Sequence, residues 1–154
     1  MGLIFQDFIR NFYKLEQDIF LVKADSFGWP ISAIGHSQYL MPSMNTDVSL
    51  HNDNQCILIE CKWTGRTFQY SHGVKSLRSE HLYQLYAYVR NHPRSITHPT
   101  AVEGLLLYPQ VDEAVDVSVC LEGHNMRVKT LDLQCDWPQI KGQLMAVIEQ
   151  GEAA

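Results

Sequence analysis

Twelve residues separate Asp47 from Glu60-Cys61-Lys62, and side chains of those types can hold one hard divalent cation beside an ammonium group. Thr46-Asp47-Val48-Ser49-Leu50 and Cys56-Ile57-Leu58-Ile59-Glu60-Cys61-Lys62 are apolar-rich runs separated by the turn-forming His51-Asn52-Asp53-Asn54, which predicts a β-hairpin. With the turn centred on Asn52-Asp53, Leu50 pairs with Gln55 and Asp47 with Leu58. Asp47, Glu60 and Lys62 then share one face, because side chains alternate with period two. Asp47 and Glu60 become a diagonal pair, roughly 7 to 8 Å apart between backbones. Oxygen-only ligation of this kind favours Mg²⁺, with Mn²⁺ able to substitute, over zinc.

The chemistry that joins these groups is cleavage of an anionic ester. A bound divalent ion lowers the pKa of an attacking water and neutralises charge on a pentacovalent transition state. Lys62, on the same face, can position the water or stabilise the developing negative charge. The plainer alternative is a turn aspartate beside an exposed Glu60–Lys62 ion pair. Against it stands the unbroken apolar run Ile57-Leu58-Ile59, which predicts a buried central strand, where Glu and Lys rarely occur without a use.

A helix must follow. Ser79 is a candidate N-cap, Leu82, Leu85, Tyr86 and Val89 recur at helical spacing, and Asn91-His92-Pro93 ends the run. Gln84 and Tyr88 lie one turn apart on another face, with His81 a turn earlier. Tyrosines at positions 83, 86 and 88 can simply pack, but a Gln-x-x-x-Tyr pair after a Glu-x-Lys strand has a further meaning.

Asp47, Glu60-Cys61-Lys62, Gln84 and Tyr88 together resemble the PD-(D/E)xK nuclease superfamily, in the version shared with RecB-like nucleases, with Thr46 where proline often precedes the aspartate. Leu40-Met41-Pro42-Ser43-Met44-Asn45-Thr46-Asp47, Leu82-Tyr83-Gln84-Leu85-Tyr86-Ala87-Tyr88 and Gly104-Leu105-Leu106-Leu107-Tyr108-Pro109 are similar to McrC, the nuclease subunit of McrBC 5-methylcytosine-dependent restriction systems. The opening Phe5-Gln6-Asp7-Phe8-Ile9-Arg10-Asn11-Phe12-Tyr13 and the closing Trp137-Pro138-Gln139-Ile140 extend the likeness from about Leu3 to Val147.

The resemblance implies a Mg²⁺-dependent endodeoxyribonuclease of a phage-defence system. Asp47 and Glu60 would be the metal ligands, with Lys62, Gln84 and Tyr88 completing the catalytic set. DNA would be the substrate and a McrB-like AAA+ GTPase the partner. Two departures qualify it. Family members usually carry a glutamate where this chain has Gln6; Asp7 and Glu16 are the nearby carboxylates, and Asp7 points about 100° further round the helix. The likeness also covers only the nuclease half of McrC. A non-catalytic DNA-binding or assembly module, or an inactive truncated remnant, is the competing reading. The chain has no Gly-x-x-x-x-Gly-Lys-[Ser/Thr] loop, so GTP binding is not expected of it.

Composition fits one domain over residues 1–154, with a tail after about residue 149 expected to be flexible: 45% of residues are hydrophobic and 19% charged. No stretch approaches the ~20 apolar residues of a membrane span and no basic leader precedes an apolar run, so a soluble, cytoplasmic protein without membrane contact is expected. Cys56, Cys61, Cys120 and Cys135 lack C-x-x-C spacing and read as reduced thiols. The seven histidines, without H-x-x-x-H grouping, read as surface or packing residues.

The net charge of -5 is uneven: residues 1–102 hold nine Lys and Arg against eight Asp and Glu, residues 103–154 three against nine. Between Lys62 and His81 the balance is basic, so Arg66, Lys75 and Arg78 are candidate phosphate contacts in a loop that also carries Trp63, Tyr70 and His72. The elements expected are an amphipathic helix from Leu3 to about Asp18 with Phe5, Phe8, Ile9, Phe12, Leu15 and Ile19 on its apolar side, an irregular segment over residues 25–39, the hairpin, the basic loop and the Gln84 helix. Strands at Val102–Tyr108, Val115–Leu121 and Asn125–Leu133 and a helix from about Asp136 to Glu149 follow. That order predicts an α/β fold, a mixed sheet flanked by helices, of the restriction-endonuclease-like type.

Overall fold

Phe5, Ile9, Phe12 and Tyr13, at i, i+4, i+7 and i+8, form the buried stripe of the first helix, α1 (Gly2–Glu16). Burial of side chains this size contributes about 1.5–3 kcal/mol each, which docks α1 firmly on a sheet. The stripe is narrower than the sequence pattern predicts. Leu15 is exposed, Ile19 lies beyond the helix end, and Tyr13 takes their place, its hydroxyl donating to the Leu144 carbonyl at 2.8 Å.

The computed structural model describes residues 1–32 and 37–149. After α1 come β1 (Leu21–Lys23), β2 (Ser26–Phe27), β3 (Met44–Asn45), β4 (Val48–His51), β5 (Cys56–Cys61), β6 (Phe68–Ser71) and β7 (Val74–Leu77). The helices α2 (Ser79–Asn91) and α3 (Pro93–Thr97) lead into β8 (Val102–Pro109), β9 (Asp116–Leu121), β10 (His124–Leu131) and α4 (Trp137–Glu149). The segment expected to be irregular contains β2 and a short 3₁₀ turn at Ser37–Leu40; residues 33–36 of it, and the tail after residue 149, lie outside the described residues.

Six strands form one mixed sheet in the order β1-β4-β5-β8-β10-β9. β8 runs parallel to both β5 and β10, and the outer pairings are antiparallel. Parallel strands are covered on both faces, and every residue of β5 and β8 is buried. Odd positions of β5 pack with α1 and α4 through Ile57, Ile59 and Cys61; even positions, Cys56 and Leu58, pack with Leu85 and Val89 of α2. The result is a mixed α/β fold with a six-stranded sheet between helices, consistent with a restriction-endonuclease-like architecture.

Gly104 of β8 sets how closely α2 approaches. A Cβ there would lie 2.8 Å from Val89 Cγ2 and 2.9 Å from Leu85 Cγ, inside any real contact. On the other face a buried ion pair, Arg127 to Glu103 at 2.9 Å, ties β10 to β8, and Arg127 also donates to the Val147 carbonyl of α4 at 2.9 Å.

The hairpin register differs from the expectation. Val48 pairs with Ile59, Leu50 with Ile57 and His51 with Cys56, two residues further along β5 than predicted. The reason is the turn. Asn52 Oδ1 accepts from the Asn54 and Gln55 amides, and Asn52 N donates to Gln55 O, so the turn centres on Asp53-Asn54, one residue later than expected, which moves the register by two. A slip of two preserves the faces. The basic loop is another correction: β6 and β7 form a hairpin about His72-Gly73, both at positive φ (51° and 78°).

Candidate active site

Continuing the β4–β5 register by one residue sets Asp47 directly across from Glu60, not diagonal to it. The two are laced together at the strand ends. Asp47 N donates to Glu60 Oε1 at 3.2 Å, and Cys61 N donates to Asp47 Oδ2 at 2.8 Å. Lys62 continues the strand path, its amide bonded to Leu107 O of β8 at 2.9 Å. Its ammonium sits 3.8 Å from Glu60 Oε2 and donates to Gln84 Oε1. Gln84 Nε2 in turn donates to Tyr88 Oη at 3.0 Å. The five residues singled out in the sequence thus form one connected series from the sheet to α2.

The helix presents Gln84 and Tyr88 there because Leu85 and Val89, on the adjoining face, are pulled against Gly104. Ser79 is the first helical residue, and Arg78 occupies the N-cap. The free Ser79 N–H is satisfied by Gln69 Oε1 at 3.1 Å while Gln69 Nε2 donates back to Ser79 Oγ at 2.8 Å, so β6 supplies the cap that Ser79 was expected to provide. His81 Nδ1 lies 2.7 Å from the Tyr108 hydroxyl.

Glu60 is 2% exposed. Burial, with the negative charge of Asp47 added, pushes its carboxyl up to about 8, against the opposing pull of Lys62. Asp47 is raised as well, by burial, with the Cys61 amide and Lys62 working the other way. Two carboxyls this close and this dry resist joint ionisation. A divalent cation between them would relieve that cost, and the donor set, carboxylate oxygens with an ammonium at the rim, suits a hard ion.

Two residues that the motif did not single out support Asp47. Arg10 Nε and Nη2 donate to the Asp47 carbonyl at 3.0 and 2.8 Å. Gln6, with its amide nitrogen turned to the site, donates to Asp47 Oδ1 at 3.0 Å and accepts from Arg10 at 3.2 Å. The position at which the sequence departs from the pattern of the family it resembles therefore touches the candidate metal ligand. The two nearby carboxylates are engaged elsewhere: Asp7 pairs with Arg10 at the surface, and Glu16 takes Lys141 at 2.7 Å. The i, i+4 spacing of Gln6 and Arg10 was the available signal.

Two of the three candidate phosphate contacts line a different cavity. Arg66 and Arg78 line a groove of about 420 Å³ with Phe68 and Tyr70. Lys75 pairs with Glu113 at 2.5 Å and Arg78 with Glu80 at 2.8 Å. The cysteines are free thiols, and Cys56 and Cys61 are buried as expected. The reading of isolated histidines fails at two positions. His51 and His92, 41 residues apart in sequence, converge on Asp25.

No helix among the described residues is long and apolar enough to cross a membrane. No family model matches the chain. In agreement with the resemblance carried by these motifs, the chain is similar to the Type IV methyl-directed restriction enzyme EcoKMcrBC of Escherichia coli (strain K12), 27% identical over 151 residues that make up 97% of this chain but only 43% of that protein.

Proposed function

We propose that this chain is a Mg²⁺-dependent endodeoxyribonuclease domain of a McrBC-type restriction system, acting in the cytoplasm with a McrB-like AAA+ GTPase partner. The observation that carries the proposal is the continuous series Asp47–Glu60–Lys62–Gln84–Tyr88, built from sheet and helix and centred on two carboxyls that burial makes reluctant to ionise. The similarity to a methyl-directed restriction enzyme supports the substrate class.

In this reading Asp47 and Glu60 would hold the cation, Mg²⁺ with Mn²⁺ as a substitute, which would supply Lewis acidity toward water and the phosphoryl oxygens. Ligation of the cation would require Glu60 to release its proton to solvent. Lys62, fixed by Gln84, directs its ammonium at the attacking water or the phosphate oxygens, and Tyr88 fixes Gln84 in turn. Arg10 and Gln6 hold the Asp47 loop so that its carboxylate need not reorganise. Arg66, Lys75 and Arg78 contribute sequence-independent contacts to DNA phosphates.

Recognition of modified cytosine and GTP-driven motion would belong to the partner. The test compares nicking of methylated and unmethylated duplexes with Mg²⁺ alone, then with the partner and GTP. Weak, methylation-indifferent nicking by the isolated chain, stimulated by the partner, is expected. A methylation preference in the isolated chain would overturn the division of labour, and no nicking under either condition would overturn the enzyme assignment.

A further inference from the structure

A second cluster of chemistry-bearing side chains lies at the other end of the β4–β5 hairpin. His51 ends β4, Cys56 opens β5 directly opposite it, Asp25 sits between β1 and β2, and His92 joins α2 to α3. One ligand atom from each, two imidazole nitrogens, a thiol sulfur and a carboxylate oxygen, lies within 4.8 Å of all the others. Asp25 Oδ2 is 2.6 Å from His51 Nε2 and 3.0 Å from His92 Nε2, and Cys56 Sγ is 3.9 Å from His51 Nε2. Cys56 is fully buried and His92 nearly so.

We propose that Asp25, His51, Cys56 and His92 form a structural zinc site, independent of the Asp47–Glu60 centre. Two neutral imidazoles, one thiolate and one carboxylate give a ligand charge that Zn²⁺ cancels, which suits a buried position. Nitrogen and sulfur donors select zinc over the hard ions suited to Asp47 and Glu60. Tetrahedral coordination with bonds of about 2.0 Å to nitrogen and 2.3 Å to sulfur needs donor atoms roughly 3.3–3.6 Å apart. The carboxylate contact to His51, at 2.6 Å, must therefore open, and donor separations of up to 4.8 Å must close, movements on the order of 1 Å that side-chain rotation supplies.

A purely hydrogen-bonded arrangement accounts for Asp25 and the two imidazoles and leaves Cys56 only its packing against Leu85 and Val89, since at 3.9 Å its thiol is a weak partner for His51. On binding, the Cys56 proton leaves to solvent. His92 Nδ1 accepts from Arg94 N at 3.2 Å in the metal-free arrangement, so ligation through Nε2 moves the ring proton to Nδ1 and gives up that contact. One long neutral hydrogen bond is a small loss beside ligation by four groups.

The site would link the hairpin end, the β1–β2 junction and the α2–α3 turn. Asp25 also exchanges bonds with Thr46: Thr46 N donates to Asp25 O and Asp25 N to Thr46 Oγ1, both at 2.9 Å. Thr46 precedes Asp47, so zinc would steady the base of the candidate active site without taking part in its chemistry.

The test uses the full chain purified without chelator, its metal content measured, then Co²⁺ exchanged for Zn²⁺ and the absorption spectrum recorded. One zinc per chain is expected, with tetrahedral Co²⁺ bands and a thiolate-to-cobalt charge-transfer band. Cys56→Ser should abolish the charge-transfer band, His92→Ala should weaken binding at least about ten-fold, and Glu60→Gln should leave both unchanged. The unmutated protein is itself decisive: neither retained zinc nor a charge-transfer band on Co²⁺ addition would overturn the proposal. So would a band that survives in Cys56→Ser. None of these readouts depends on DNA cleavage.

Discussion

Replacing Glu60 by Gln should make the metal-free protein more stable as pH rises, while removing its cleavage activity. In the folded chain the Glu60 carboxyl is displaced from its ordinary 4.5 up to about 8, chiefly by burial. A folded-state pKa above the unfolded value means that the native protein keeps a proton the unfolded chain releases. Stability is then greatest below about pH 4.5, declines through the interval up to about pH 8, and is flat beyond it. At ~1.4 kcal/mol per tenfold change, the displacement sets a ceiling of roughly 5 kcal/mol on that decline. Glutamine escapes it but loses the attraction between Glu60 and Lys62 at 3.8 Å, so a net gain of about 1–3 kcal/mol at alkaline pH is the working figure. For a domain of this size that is a rise of about 2–12 °C in Tm.

Thermal unfolding of both proteins in EDTA, followed by circular dichroism from about pH 5 to about pH 9, reads the difference directly. The gap in Tm should be smallest at the acid end and grow with pH. Added Mg²⁺ should then raise the Tm of the parent and not of the variant, because only the parent keeps both ligands. A gap that is independent of pH, or a variant less stable than the parent at alkaline pH, would refute the account of Glu60.

Gln84→Ala should lower cleavage at least about ten-fold in kcat with little change in Tm, since Gln84 holds Lys62 rather than the Leu85–Val89 packing; Tyr88→Phe should cost less, and Lys62→Ala at least as much. Arg10→Ala frees the Asp47 carbonyl, so the Mg²⁺ concentration for half-maximal cleavage should rise, read from a metal titration in which an unchanged midpoint would count against the role given to Arg10. Gly104→Ala should cost about 1–3 kcal/mol in a denaturant melt and depress cleavage too, because its methyl group meets Leu85 and Val89 at under 3 Å and pushes Gln84 off Lys62.

The parts of the site legible in the sequence are those fixed by period-two and helical spacing. Asp47, Glu60 and Lys62 share a face whichever even register the hairpin takes, so a two-residue error in pairing left the grouping intact. Gln84 and Tyr88 are one turn apart on any regular helix. What escaped depends on long-range packing or on turn detail. Arg10 and Gln6 reach Asp47 only because α1 crosses that end of the sheet, and the meeting of His51 with His92 depends on where α2 ends. The β6–β7 hairpin was hidden by its polar, half-exposed strands, although His72-Gly73 between two four-residue runs carries the two-residue turn pattern.

The central claim is that Asp47 and Glu60 together hold the divalent cation that cleaves DNA. It is tested most directly by nicking of supercoiled plasmid across a Mg²⁺ titration, with the parent chain and a folded Asp47→Asn variant side by side. The account predicts Mg²⁺-dependent nicking by the parent, none in EDTA, and none by the variant at any Mg²⁺ concentration. A variant that nicks like the parent, or parent activity that persists in EDTA, would contradict it.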